Sequence, residues 1–343
     1  MLISEGRVRA ALAALTMIAV TGAGPVGAQQ NSQPNGQQHG RQQPAFKSAE
    51  AAYDQGMGAW RGGFVEQAIP ALKFAADGNV FFAQFYLARI YADNGTPYTN
   101  HPAAFELYNK IARDYANIDP DDDLRAPFVA RAFTTLAGYA RHGLAQINVA
   151  PDAARAVELL RHASQFFNDQ EAQFELAKHH LRGEGTRQDT PTGLHWLSTL
   201  ATRGHAGAQA YLADVYWRGR YGVPRDQLRA FALISVAVEN APDSERIWIE
   251  DIHHLIFCGA SSGVRTQAEG VVADWRKRYG GTLSSSQRSG LGMPSPAAAE
   301  RTCRSGEVVA PVRAPTSTVP AERQQAPPRG MLDVGVSAGA LPR

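Results

Sequence analysis

Several spacings in this 343-residue chain match patterns that elsewhere carry chemistry, and each meets a physical objection. Gly259-Ala260-Ser261-Ser262-Gly263 spells the nucleophile elbow of hydrolases, where a Ser on a strained strand-to-helix turn is served by a His later in the chain. The last histidine is His254, so that order cannot be completed, and the segment reads as a Gly-Ser turn between two helices. Gly22-Ala23-Gly24-Pro25-Val26-Gly27 spells the dinucleotide fingerprint, but no strand precedes it and Pro25 stands where a helix should open. Asp119, Asp121 and Asp123 alternate like the first ligands of a calcium loop. Leu124, however, takes the place of the obligatory Gly and Ala130 that of the bidentate Glu, so a solvated turn capping the next helix is the better reading. His179-His180 and His253-His254 are adjacent pairs, which diverge by about 100° on a helix and do not chelate together. His254 and Cys258 do stand i, i+4, but no further ligand is in view. No catalytic residue, metal ligand or cofactor site is assigned.

Cys258 and Cys303 are too few for a thiolate zinc cage and enough for one bridge. The compartment decides between a bridge and two free thiols. Arg7 and Arg9 precede an apolar or small stretch from Ala10 to Val20, and Val26-Gly27-Ala28 follows as a small-x-small ending, so export with cleavage after Ala28 is expected. The apolar run is too short for a membrane span, which needs about 20 residues. In an oxidising space two leftover thiols most simply join, and no basic cluster beside them suggests a reactive thiolate. The domain reading is a signal peptide at 1–28, a Gln-rich disordered leader at 29–47, a folded region at 48–281 and a mostly disordered Pro/Ala/Ser-rich tail at 282–343. With 34 basic against 32 acidic residues and no basic stripe, nucleic acid is not an expected partner.

The elements that must position any site declare themselves by repetition. Ala-x-x-x-Leu-Ala recurs as Ala83/Leu87/Ala88, Ala132/Leu136/Ala137, Ala172/Leu176/Ala177 and Ala208/Leu212/Ala213. Gln84, Gln173 and Gln209 follow the first Ala, with Phe133 in the remaining copy, and Gly143, Gly183 and Gly219 stand seven residues after the Leu. A worn copy precedes them as Ala51, Gln55, Gly56 and Gly62. The Leu-to-Leu spacings are 49, 40 and 36 residues, a drift that insertions between helices explain. Ala and Leu at i, i+4 and i+5 line one helix face, and the Gly ends the helix. A second apolar-periodic stretch follows each: Ala103 to Tyr115, Ala153 to Phe167, Pro191 to Arg203 and Leu228 to Glu239. Thr190-Pro191 reads as an N-cap followed by Pro at the first helical position. Each repeat is then a helix-turn-helix hairpin that cannot cover its own apolar face, and stacked hairpins make an all-α solenoid.

Ala-Gln-x-x-Leu-Ala-x-x-Tyr-x-x-Gly at Ala208 to Gly219, with Tyr221-Gly222-Val223, Asp226 and Ala230-Phe231-Ala232-Leu233 after it, resembles the Sel-one-like repeat, a relative of the tetratricopeptide repeat. Ala172 to His205, with Gly183-Glu184-Gly185 and Trp196, matches about as well, and the likeness covers about Ala51 to Asn240. Shorter strings, Leu255-Ile256-Phe257-Cys258, Val264-Arg265-x-Gln267-Ala268-Glu269 and Arg301-Thr302-Cys303-Arg304, are similar to a family of periplasmic regulators of exopolysaccharide production in rhizobia. That resemblance implies a periplasmic, non-enzymatic protein, without membrane insertion after signal cleavage, that holds down a membrane sensor kinase by binding its periplasmic domain. The Pro-rich tail after Cys303 departs from that family's pattern. The alternative is a cell-envelope scaffold for polysaccharide or peptidoglycan enzymes. Some members of the repeat family are described as β-lactam binders or hydrolases, but the chain has no Ser-x-x-Lys.

In a solenoid the interface positions recur, whereas positions facing a partner are free to differ. Two residues after the recurring Leu stand Arg89, Gly138, Lys178 and Asp214, whose charges vary while the frame does not. Arg89, Lys178 and Asp214 are the candidate partner-binding residues. A merely solvated face would vary in the same way, and the two readings stand side by side.

Overall fold

The computed structural model describes residues 46–279 and 301–309. The expected export signal, almost all of the expected leader and most of the expected tail lie outside them.

Among the described residues the helices pair in chain order into six hairpins. They are α1 (Ala49–Arg61) with α2 (Val65–Asp77), α3 (Phe81–Ala92) with α4 (His101–Tyr115), and α5 (Ala126–His142) with α6 (Ala153–Gln165). The next three are α7 (Gln170–Arg182) with α8 (Thr190–Thr202), α9 (Ala206–Arg218) with α10 (Gln227–Asn240), and α11 (Arg246–Gly259) with α12 (Ser262–Tyr279). Each helix from α1 to α11 packs chiefly on its chain neighbours, with further contacts such as α5 on α7 and α9 on α11; the last hairpin is splayed, and α12 packs on α10 rather than on α11. That nearest-neighbour pattern is the mark of a solenoid.

The recurring residues form the buried seam. Ala83, Ala132, Ala172 and Ala208 are all fully buried, and Leu87, Leu136, Leu176 and Leu212 are almost so. The glutamine after the Ala fastens one hairpin to the one before it. The Nε2 of Gln84, Gln173 and Gln209 donates to the carbonyls of Ala76, Ser164 and Ala201, each the penultimate residue of the preceding helix. At each boundary the glutamine adds a side-chain donor to a helix-end acceptor, which at Ala76 and Ala201 also takes the N–H of Asn79 and Gly204. The connectors there are alike too, with Asn79, Asn168 or Gly204 at positive φ just before the next N-cap. Gly and Asn are the residues that take that conformation most readily.

The second helix of four hairpins starts on a carboxylate or amide cap: Asn100, Asp152, Asp189 and Asp226 accept from the backbone N–H three residues on. The expected Thr190 cap is thus displaced by one residue, because the charged Asp189 oxygen is the stronger acceptor at a helix N-terminus. The first repeat copy is displaced likewise. Ala52, Gly56 and Met57 are buried whereas Ala51 and Gln55 are exposed, and Gly63, not Gly62, has positive φ. Gly56 replaces the usual Leu because Leu72 of α2 fills the space: a Cβ there would lie 2.9 Å from Leu72 Cγ.

Three apolar clusters run along the array, and α3 and α7 each serve two of them. Ala83 and Leu87 face the cluster of α1 and α2, while Phe81, Phe85 and Ala88 face the next one. In α7, Ala172 and Leu176 look one way and Phe174, Ala177 and Leu181 the other. A helix covered on both sides is apolar nearly all round, which is what FFAQFYLARIY in α3 spells.

The tail contributes an element the composition did not suggest. β1 (Arg301–Thr302) and β2 (Val308–Val309) form an antiparallel hairpin, with Arg301 opposite Val309. A Cys258–Cys303 disulfide ties it to α11, and Arg301–Asp251 and Arg265–Glu307 ion pairs hold it from both sides. These cross-links supply what the sparse apolar content of 301–309 cannot.

Candidate functional site

On a helix, residues at i−1, i+3 and i+6 relative to the recurring Ala fall on one stripe. Arg131, Thr135 and Gly138 occupy it in α5, and Glu171, Glu175 and Lys178 in α7. Between them lie two hollows. The larger, about 730 Å³, is lined by α5, by the connectors at 120 and 167–169, and by Arg203 and His205. The smaller, about 220 Å³, holds Thr134, Thr135, Arg141, Glu175 and His179. Arg131 and Glu171 belong to both, so they form the wall common to the two.

The floor of this groove is a polar cluster drawn from three hairpins. His205, buried as the N-cap of α9, accepts at Nδ1 from the Ala208 N–H 3.2 Å away, which places its ring proton on Nε2. Nε2 faces Glu171 Oε2 at 3.5 Å. Burial pushes the Glu171 carboxyl up, but the His205 ring and the charges of Arg131 and Lys178 outweigh it and leave the group below its ordinary value. Glu245, the N-cap of α11, is the opposite case. Burial and then the Glu171 charge push it up to about 7, with His205 and Lys178 opposing. Gly207 leaves it room, since a Cβ there would lie 3.0 Å from Glu245 Oε2 and the carboxyl would have to shift. Asp169 is also raised by burial while it caps α7 through the Ala172 N–H.

At the groove's other end Arg141 of α5 grips Glu184 with two hydrogen bonds of 2.7 and 2.9 Å. His179 Nδ1 lies 2.7 Å from the Glu184 carbonyl, which fixes the loop after α7. The chemistry on offer is recognition: charges of both signs and hydroxyls above a polar floor, with Glu171, Glu175 and Glu184 each held by a neighbouring side chain.

The sequence-derived residues fall as follows. Lys178 borders the groove, stacked 4.4 Å over Phe174 and ion-paired with Glu175. Arg89 lies 5.6 Å over the Trp60 ring, two hairpins away. Asp214 is only 8% exposed and binds Arg218 and Arg220, so the charges its row presents to solvent are those two arginines. Sequence reasoning saw one row of the stripe and missed the two before it, including Arg131 and Glu171. The signal was there, since the residue before the recurring Ala varies as Phe82, Arg131, Glu171 and Gly207.

The other motifs take structural roles. Asp119 accepts from the N–H groups of Asp121 and Asp122, which makes a turn. It caps no helix, contrary to expectation: the N-cap of α5 is Arg125, and Asp123 is engaged by that guanidinium, which lowers its carboxyl to about 2. Gly259 to Gly263 is the turn from α11 into α12. Cys258 and Cys303 are joined.

A family model described as Sel1 repeat matches residues 82–114, 170–205 and 206–240. Two curated relatives are each named exopolysaccharide production negative regulator. That of Rhizobium meliloti (strain 1021) is 28% identical over 218 residues, covering 64% of this chain and 78% of the relative. That of Rhizobium leguminosarum bv. viciae is 28% identical over 213 residues, covering 62% and 77%. Among solved structures, a protective antigen of uropathogenic Escherichia coli with an SLR fold superimposes with a TM-score of 0.50 at 22% identity. That match covers 74% of this chain and only 51% of the antigen, so it speaks for the fold alone. The chain therefore carries Sel1 repeats folded as a solenoid, and over most of its length it is similar to negative regulators of exopolysaccharide production.

Proposed function

We propose that this is an exported, non-enzymatic regulator that restrains exopolysaccharide production by binding the periplasmic domain of a membrane sensor histidine kinase. The observation that carries the reading is the likeness to two regulators named for that output, across 64% and 62% of the chain. Physical support comes from the groove on α5 and α7. Its walls offer Arg131 on one side and Glu171 and Glu175 on the other, a pattern suited to a protein segment bearing both charges. Lys178 belongs to that surface, and Arg89 and Asp214 extend the same stripe along the array, Asp214 by aiming Arg218 and Arg220. Export is supported by the apolar run and small-x-small ending that precede Gln29, and by a disulfide of the kind that persists in oxidising compartments.

The test uses the chain from Gln29 onward and the purified periplasmic domain of the kinase. Saturable binding is expected, and reversing both charges of the shared wall, Arg131→Glu with Glu171→Lys, should weaken it at least about tenfold with helicity unchanged. A deletion strain should oversecrete exopolysaccharide and be restored by wild type but not by the double variant. No binding by the folded protein, or unchanged polysaccharide in the deletion strain, overturns the reading; capture of polysaccharide-assembly enzymes in place of the kinase would make it an envelope scaffold.

A further inference from the structure

The disulfide sits inside a ligand set. His254 and Cys258 occupy one face of α11 at i, i+4, and the tail hairpin brings Cys303 to the same point. The ligand atoms of the three residues lie within 4.8 Å of one another. A tetrahedral zinc ion at about 2.3 Å from sulfur and about 2.0 Å from nitrogen spaces its ligands by roughly 3.5–3.8 Å, so once the bond opens the two sulfurs must part and the imidazole needs only a small inward movement. The Cα atoms of the two cysteines are 5.5 Å apart.

Two features favour the return of the three residues to one point once the covalent bond has opened. Arg265 on α12 grips Glu307 with two hydrogen bonds of 2.7 and 3.2 Å, and Arg301 pairs with Asp251 on α11. One pair anchors each side of the loop that carries Cys303, and Cys303 N–H closes that loop on the Glu307 carbonyl at 2.8 Å. The imidazole is also prepared. His254 Nε2 lies 3.4 Å from the Thr302 carbonyl, an acceptor only, so Nε2 carries the proton and the other ring nitrogen keeps its lone pair. Metal-bound imidazoles are commonly oriented in that way, by donating their second nitrogen to a carbonyl.

We propose that opening of the Cys258–Cys303 bond by a dithiol reductant turns His254, Cys258 and Cys303 into a binding site for a thiophilic divalent cation of the zinc class, with its fourth position open to water. The exposed Cys258 is the member a reductant meets first. The dithiol gives up two electrons and two protons and closes to its own disulfide, and Cys258 and Cys303 become thiols. Cation binding then expels those two protons and takes the lone pair of His254. Bridge and cation are alternative ways of holding the tail hairpin on α11, one for each redox state.

The test uses the chain from Gln29 onward, reduced with a phosphine that adds no thiol ligand, and Co²⁺ as a spectroscopic stand-in. One Co²⁺ per chain is expected to give a thiolate-to-metal charge-transfer band and strong visible bands of tetrahedral geometry, both removed by Zn²⁺ and absent from the oxidised protein. His254→Ala, which keeps its disulfide and so its fold until reduced, should lose more than the roughly 10–100-fold of affinity that an outer-shell partner supplies. Cys303→Ser should abolish the charge-transfer band. Reduced, helical wild type without that band overturns the proposal, as does a His254→Ala variant that binds as tightly as wild type. In proteolysis, Zn²⁺ should restore protection of residues 301–309 in the reduced protein, and failure to do so would count equally against it.

Discussion

Glu245 condenses the electrostatics of the groove into one residue. Its carboxyl is raised from the ordinary 4.5 to about 7, so the folded chain holds a proton there that the unfolded chain has released. Stability from this group is complete below about 4.5 and is lost as pH rises through about 7. The groups facing it are Glu171 and Glu175, which disfavour its charge, and His205 and Lys178, which favour it. Glu245→Gln should therefore raise the melting temperature at about pH 8 and leave it nearly unchanged at about pH 5, as thermal unfolding at the two pH values would show. Leu212, buried on the seam, calls for a different experiment: Leu212→Ala should destabilise by about 2–5 kcal/mol in denaturant titration. Leu212 was legible in the sequence because its neighbours at each hairpin are equivalent. The Glu171–His205–Glu245 cluster was not, since its members come from three hairpins and meet only when those stack.

The helix ends show which local signals suffice. Asp226 accepts from the Arg229 N–H at 2.9 Å, and Asp226→Ala should cost about 0.5–2 kcal/mol, measurable by urea unfolding. The Asp/Asn caps and the Gly helix stops depend on one or two neighbours, which is why four of the hairpins could be read directly. The last hairpin was legible only as two helices about a Gly-Ser turn and not as a repeat, because Ile249 and His253 fill the buried i, i+4 positions of α11 where Ala and Leu would be expected. The slip by one residue in α1 has a similar origin, as Leu72 reaches across to the place of a missing side chain. The tail hairpin depends on cross-links that local composition does not report. Cys258→Ser removes the closure of a 45-residue separation, a loss of up to about 4 kcal/mol by chain-entropy arithmetic. Amide exchange at residues 302–308 should accelerate by a larger factor than in α9 or α10.

At the level of the whole array, adjacency governs stability. Opening at one boundary leaves the hairpins on either side able to keep their own contacts, so unfolding should proceed in blocks rather than all at once. The boundary between α4 and α5 differs from the others. Its connector runs from residue 116 to 125, and Phe133 stands in the glutamine place, its ring tilted against that of His162 at 4.5 Å and making no hydrogen bond to the preceding helix. Native-state hydrogen exchange is expected to find residues 49–115 and 126–240 opening with separate free energies; a single shared value would contradict it. The fold class followed from repetition alone, because repetition is a property of order along the chain. The groove required knowing which rows of the stripe a neighbouring hairpin leaves uncovered, and that is settled only by stacking.

The glutamine fasteners carry a further consequence for how such a protein changes over generations. Gln84, Gln173 and Gln209 grip the same penultimate carbonyl, so a module duplicated or deleted between two of them meets a ready-made socket at each cut end. Length can thus be edited by recombination without redesigning any joint. The Phe133 junction lacks that socket and marks where such editing should be least tolerated.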